Sequence, residues 1–213
     1  NSANRPELER SYIDMLRRNM VDGVIVNSLN IGAEAYAEMG LSLVGIDCDL
    51  GEASVQIASD SYSIGELATR RLIDDGCSRI LCLRSNSRMR MPANKRTDAY
   101  LDVVEQAGLP ALVREVEFVK PDDEKSAVVA KILDENPDID GIFAGDDTMA
   151  AICLNVMKQR GLSAPDDIKV VGADGARRTM TFMPDLTTVR QDIDRIGELA
   201  AQSIVALVRS EEH

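Results

Sequence analysis

The sequence predicts an α/β fold built on parallel sheets, and three observations carry that reading. Strand and helix patterns alternate along the whole chain. Several strand patterns are short continuous apolar runs, as expected of strands covered on both faces. The helix patterns stop at glycines and the connections are short, the arrangement of right-handed crossovers between parallel strands.

The elements follow in order. Residues 4–19, "NRPELERSYIDMLRRN", set Pro6 in a first helical turn and repeat Leu8, Tyr12 and Leu16 at helical spacing. "DGVIVNS" (Asp22–Ser28), "LSLVGIDCD" (Leu41–Asp49) and "SVQIASD" (Ser54–Asp60) read as strands. "SIGELATRRLIDDG" is a helix that stops at Gly76 and leads to the strand "RILCLR" (Arg79–Arg84). "NKRTDAYLDVVEQAG" is a helix that stops at Gly108, and "VREVEFV" (Val113–Val119) is the next strand. "GIFAGD" (Gly141–Asp146) hands over to "DTMAAICLNVMKQRG", a helix with Asp147 as its expected cap and Gly161 as its stop. "IKVVGAD" (Ile168–Asp174) and "LTTVRQ" (Leu186–Gln191) complete the strands. The last helix, "DIDRIGELAAQSIVALV", carries Ile193, Ile196, Ala200, Ile204 and Leu207 on one stripe.

Composition narrows the function classes. A chain of 213 residues can bury a sizeable core, as one domain or two lobes. With 45% hydrophobic and 28% charged residues it has an ordinary soluble composition, and 3% aromatics leave the core to aliphatic packing. No apolar run approaches the roughly 20 residues that span a bilayer, and no signal peptide opens the chain, so no membrane partner is expected. A net charge of −12 argues against a duplex-binding surface on this chain itself. Cys48, Cys77, Cys82 and Cys153 show neither CxxC nor metal spacing, and the lone His213 is terminal. Free buried thiols in a reducing, cytoplasmic compartment are expected, with no metal and no cofactor.

The strand tips carry the polar chemistry. In an open parallel sheet, ligands sit outside the carboxyl ends of the strands. Asp47, Asp60, Asp146 and Asp174 arrive there, with Gln191 at the end of the last strand. Buried apolar strands need no carboxylates at their tips. Helix capping accounts for Asp147 and Asp60, whereas Asp174 is followed by Gly175 and no immediate helix, so binding is expected there. Carboxylates and Gln exchange paired hydrogen bonds with vicinal hydroxyls, and an Arg fork does so as donor. "RSNSRMRMPANKR" brings Arg84, Arg88, Arg90, Lys95 and Arg96 to the same rim, with Arg88 and Arg90 read as solvated. Phe118, Phe143 and Phe182 stand near strand ends or loops, where a ring stacks on a ligand's apolar face; two of the three are expected in the core.

Enzymes fit less well. There is no GxGxxG, GxxxxGK[ST] or GxSxG motif, and a terminal His leaves no triad. A paired-carboxylate hydrolase using Asp146 and Asp174 is the remaining enzymatic reading, tested by product formation from glycosides.

The stretch "GIFAGDDTMAAICLNVMKQRGLSAPDDIKVVGADGARRTMTFMPDLTTVRQDIDRIGELAA" resembles the effector-binding core of the LacI/GalR family of bacterial transcription regulators. The shared elements are F-x-x-D-D-x-M-A, R-G-L-x-x-P-D-D-I-x-V-V-G-x-D and P-x-L-T-T-V-R-Q. Upstream, "SDSYSIGELATRRLIDDGCSRI" and "LERSYIDMLRRNMVDGVIV" look like the family's preceding segments. The resemblance implies two α/β lobes of periplasmic-binding-protein type. The first would hold residues 1–59 plus 192–213 and be incomplete; the second would hold 60–191. It also implies a small-molecule effector bound between lobes, a sugar or sugar phosphate. Further implications are a homodimer and contact with operator DNA through a helix-turn-helix domain absent from this chain. Carried over by position, the ligand contacts would be Asp174, Arg96, Asp146, Asp47 and Gln191, with Phe143 beside them. The sequence departs from the pattern where "G-D-D" stands for the usual "A-N-D" and Cys77 for a His. An exported sugar-binding protein of a transport system is the alternative the same fold allows.

Overall fold

A computed structural model describes residues 5–18, 21–28, 36, 41–48, 50–51, 54–85, 91–117 and 120–211. The chain forms two compact units. One comprises Asn1–Ser59, Met89–Pro92 and Asp192–His213; the other comprises Asp60–Arg88 and Ala93–Gln191.

The smaller unit is a parallel sheet in the order β1 (Gly23–Val26), β2 (Ser42–Ile46), β3 (Val55–Ile57). Its core joins Ile13 of α1 (Pro6–Arg18) to Val26, Tyr36, Leu43, Cys48 and Leu50. The C-terminal helix α7 (Ile193–Glu211) packs on this sheet. It comes so close that a Cβ on Gly23 would lie 2.6 Å from Ile204 Cδ1. Two stripe assignments are corrected here. Tyr12 on α1 and Ile193 on α7 are exposed, because the buried faces run through Ile13 and through Ala200 instead.

The larger unit is a five-stranded parallel sheet. Its strands are β4 (Ile80–Arg84), β5 (Leu112–Glu115), β6 (Gly141–Ala144), β7 (Lys169–Asp174) and β8 (Thr187–Arg190), in the order β5-β4-β6-β7-β8. Successive side chains point to opposite faces, and the core divides accordingly. Ile80, Cys82, Phe143, Val171 and Ala173 meet α2 (Ser61–Asp74) and α3 (Lys95–Gln106) through Ile64, Ala68, Leu72, Tyr100 and Val104. Leu81, Leu83, Ile142 and Ala144 meet α4 (Asp122–Glu135) and α5 (Asp147–Gln159) through Val129, Ile132, Met149 and Val156. Fully burying such a side chain contributes about 1.5–3 kcal/mol. Tyr100 is the one aromatic with a polar tip in this core: its hydroxyl donates to Ile80 O at 2.7 Å and accepts from Leu112 N at 2.8 Å.

Two helices lie outside the pattern read from sequence, α4 and the short α6 (Arg177–Phe182). Neither has a side-chain cap, and α4 places Lys125 among its buried positions, which blurs its apolar stripe. All four cysteines are buried, and no disulfide joins them. Among the described residues no helix is long and apolar enough to cross a membrane.

Candidate functional site

The strand order fixes where a ligand crevice belongs. From β4 the chain steps one way to β5 and then the other way to β6, so the sheet reverses its winding between β4 and β6. The carboxyl ends of two such strands diverge into a crevice. Gly145 and Asp146 follow β6 there, and Arg84 and Ser85 end β4. Gly145 is required by proximity: a Cβ there would lie 2.8 Å from Leu83 O.

Asp174 ends β7 next to this point. Its φ is +126°, a backbone region that side-chain-bearing residues disfavour. The neighbouring elements hold it in place. Arg96 Nη2 donates to Asp174 Oδ1 at 3.0 Å, and Arg96 Nη1 donates to the Gly145 carbonyl. Gln191 Nε2 donates to the same Asp174 Oδ1, and Gln191 N donates to Asp174 O at 2.9 Å. Arg96 is buried at the start of α3, so one guanidinium ties the tips of β6 and β7 together. It reaches them because α3 lies against α2. A Cβ on Gly65 would sit 2.2 Å from Arg96 O, so only glycine admits this approach.

The electrostatics follow from this packing. Burial pushes the Asp174 carboxyl up to about 6; the Arg96 charge opposes this, Asp146 adds to it, and the hydrogen bonds from Arg96 and Gln191 hold it down. Asp174 Oδ1 is fully engaged, leaving Oδ2 as the acceptor for an incoming donor. Arg96 Nε, Arg84 Nε and Ser85 Oγ are buried with no hydrogen-bond partner among the described residues. Buried donors of this kind need water or ligand as partner. A cavity of about 120 Å³ is lined by Arg84 and Ser85 together with Leu83, Val116, Lys125, Asp146, Met149 and Ile152; Arg96, Asp174 and Gln191 lie outside its lining. Apolar walls with a few fixed polar groups are the usual make-up of a small-molecule site.

The helix cap expected of Asp147 is made by its neighbour Asp146 instead. Asp146 caps α5, accepting from Met149 N at 2.8 Å on Oδ1. Asp147 is nearly fully buried and accepts from Gly175 N at 2.9 Å and Thr188 Oγ1 at 2.6 Å. Asp60 also caps, accepting from Ser63 N at 3.0 Å on α2.

Phe143, expected beside the ligand contacts, lies in the core. It is 0% exposed, because the pleat turns it into the α2–α3 core and leaves no ring surface for a ligand. Phe182 is 75% exposed and lines a larger cleft of about 610 Å³ at the opposite, amino-terminal end of β7 and β8. Besides the paired Arg71 and Asp75, that cleft is lined by Lys169, Asp185 and Thr187. Arg88, Arg90 and Phe118 lie outside the described residues. Asp47 follows β2 in the smaller unit with φ +51°, and its N–H donates to Ile57 O at 3.0 Å. Asn27, not singled out from the sequence, donates from Nδ2 to Ile46 O at 2.9 Å beside it. Among the described residues no group of three His, Cys, Asp or Glu side chains could hold a metal ion.

Comparisons with known proteins agree with this fold. A family model described as "Periplasmic binding protein-like domain" matches residues 69–213. The chain is 34% identical over 199 residues to the sucrose operon repressor of Pediococcus pentosaceus, covering 93% of this chain and 61% of the repressor. It is 31% identical over 199 residues to the ribose operon repressor of Halalkalibacterium halodurans, covering 93% of this chain and 59% of that protein. The chain thus spans about three fifths of the length of these curated relatives. Among solved structures, the complex of the transcriptional regulator CelR with cellobiose superposes with a TM-score of 0.83 at 27% identity. That match covers 97% of this chain and 65% of the other.

Proposed function

The chain belongs to the periplasmic binding protein-like family, as an effector-binding core of LacI/GalR type, and we propose that it holds an uncharged sugar at the strand tips of its larger unit. The observation that carries the sugar class is the state of Arg96. Its charge is matched by Asp174, so Arg96 itself is no spare cation for a phosphate; Arg84 and Lys125 line the neighbouring cavity, and Lys125 pairs with Asp122. What faces the ligand is acceptor-rich, Asp174 Oδ2 and the uncapped oxygen of Asp146, with Gln191 alongside. Such a set selects a ligand that brings hydroxyl donors. The resemblance adds Asp47 as the smaller unit's contribution.

The relatives favour regulation over transport. Relatives 34% and 31% identical to it are operon repressors for sucrose and ribose. The full-length protein acts as a cytoplasmic homodimer that binds operator DNA through a separate head domain and makes or breaks no bond of its ligand. A coupling of about 1–3 kcal/mol between sugar binding and operator affinity suffices for a usable switch.

The test is fluorescence anisotropy of the full-length protein on its own upstream DNA. Ribose, sucrose, cellobiose and their phosphorylated counterparts are added in turn. Specific DNA binding shifted by one uncharged sugar supports the reading. A shift only with a phosphorylated sugar overturns the uncharged class. No DNA binding, with a sugar still raising the melting temperature, moves the protein to the transport-binding alternative.

A further inference from the structure

Asp147 lies outside the ligand contacts, yet its side chain is the most constrained acid near them. It is 3% exposed and caps nothing, since Asp146 does that. Its Oδ2 accepts from Gly175 N at 2.9 Å and its Oδ1 from Thr188 Oγ1 at 2.6 Å, and the backbone N–H of Ala176 bonds to the same carboxylate. Those donors belong to the turn after β7 and to β8. The carboxylate lies flat against β7, where a Cβ on Gly172 would come within 2.6 Å of Oδ1. Burial pushes the Asp147 carboxyl above its ordinary value, against the pull of these hydrogen bonds.

The residue these bonds hold is the one that needs holding. Asp174 sits at φ +126°, a conformation that persists only when its surroundings impose it, directly before Gly175 at φ +58°, which glycine adopts freely. Gly175 is itself confined, with a Cβ position 2.8 Å from Arg190 Cα. Register pairs Asp174 with Arg190 on β8, two residues beyond Thr188.

We propose that Asp147 is a positioning residue: by anchoring the Gly175–Ala176 backbone and Thr188, it fixes where Asp174 presents its carboxylate to the ligand. It also ties that carboxylate to β8, after which the chain leaves this unit between Gln191 and Asp192. The inference rests on Asp174 being the ligand contact, but the geometry it asserts is measurable without a ligand.

The experiment is NMR on the 13C,15N-labelled chain, following the Asp174 side-chain carboxyl through a pH titration and the Gly175 amide through hydrogen exchange. Asp174 is faced by Arg96, Asp146 and Gln191, whose balance sets its midpoint near 6. In Asp147→Ala the Gly175 amide loses protection, and the Asp174 midpoint falls toward the ordinary carboxylate range by about one unit. Asp147→Asn, which can still accept from Gly175 and donate to Thr188, shows a smaller change and serves if the Ala variant does not fold. Thr188→Val keeps every charge, so a fall of the midpoint there reads displacement of Asp174 and not lost repulsion. Asp140, bonded to Ser78 and Arg79 at the start of β4, keeps its midpoint throughout. An unchanged Asp174 midpoint in the folded variants overturns the inference, as does an equal shift at Asp140, which would mean general loosening. Wild-type protein that binds no sugar sinks the proposed function and leaves this result standing.

Discussion

Two aspartates end parallel strands in the two units, and both have positive φ, yet the chain treats them differently. Asp47 follows β2 at φ +51°, inside the left-handed well that Asp enters at small cost. Its carboxylate makes no hydrogen bond to another described residue. Asp174 ends β7 at φ +126°, where no side chain is at ease, and three elements hold it there: α3 through Arg96, the residue after β8 through Gln191, and the turn anchored by Asp147. Position at a strand tip is therefore not enough to make a site. The tip proposed to bind the ligand is the one whose strain is offset by its neighbours.

The largest break in this comparison is Arg96→Ala. It removes the tie between the β6 and β7 tips and leaves Asp174 without its counter-charge. The expected loss is about 3 kcal/mol of stability in thermal or urea unfolding. Sugar affinity should fall by more than about 100-fold in calorimetry.

Gly65→Ala comes next. The added methyl meets the Arg96 backbone, so α3 must move off α2, at about 1–3 kcal/mol by urea unfolding. Affinity falls with it, because Arg96 moves with its helix. The same change at Gly76, where a Cβ meets nothing within 4 Å, strains only a helix end and leaves affinity unchanged.

The third effect is pH dependence. Asp174 has a carboxyl raised to about 6 in the folded chain, above its unfolded value. The folded state then binds the proton more tightly. The resulting stability is fully present below the unfolded value of about 4 and is lost as pH rises through about 6. The side chain is 32% exposed, so the amount stays under about 2 kcal/mol. Melting temperature measured from pH 4 to 7 should fall across this window in the wild type and flatten there in Asp174→Asn.

The smallest effect belongs to Asp47→Gly. Glycine suits φ +51°, so stability shifts by less than about 1 kcal/mol in the same urea series. If its carboxylate contributes to the sugar, affinity drops less than in Asp174→Ala. An Asp47 variant that lost more affinity than the Asp174 variant would reverse the comparison.

Much of this was legible in the sequence. Apolar runs ending in a polar residue mark the strands and their carboxyl ends, and Asp174 stands out because no helix pattern follows at once to use it as a cap. Other features depend on three-dimensional neighbours. "DD" at Asp146–Asp147 fits a cap at either position, and the choice is settled by Gly172 and Thr188, which open a slot for one carboxylate only. Phe143 lies two residues from Gly145 at the cavity, but the pleat turns it into the core. Gly65 reads as an ordinary helix residue until α3 is laid across it. The α4 helix escaped notice because Lys125 shares its buried face and Pro121, not a side-chain acceptor, precedes it.

The central claim is that Asp174, held by Arg96 and Gln191, binds an uncharged sugar. The most direct test is calorimetric titration of the full-length protein with ribose, sucrose and cellobiose, wild type beside Asp174→Ala. The account predicts that one sugar binds the wild type and that the variant, still folded, binds it at least about 100-fold more weakly. Equal affinity in the two proteins would contradict it.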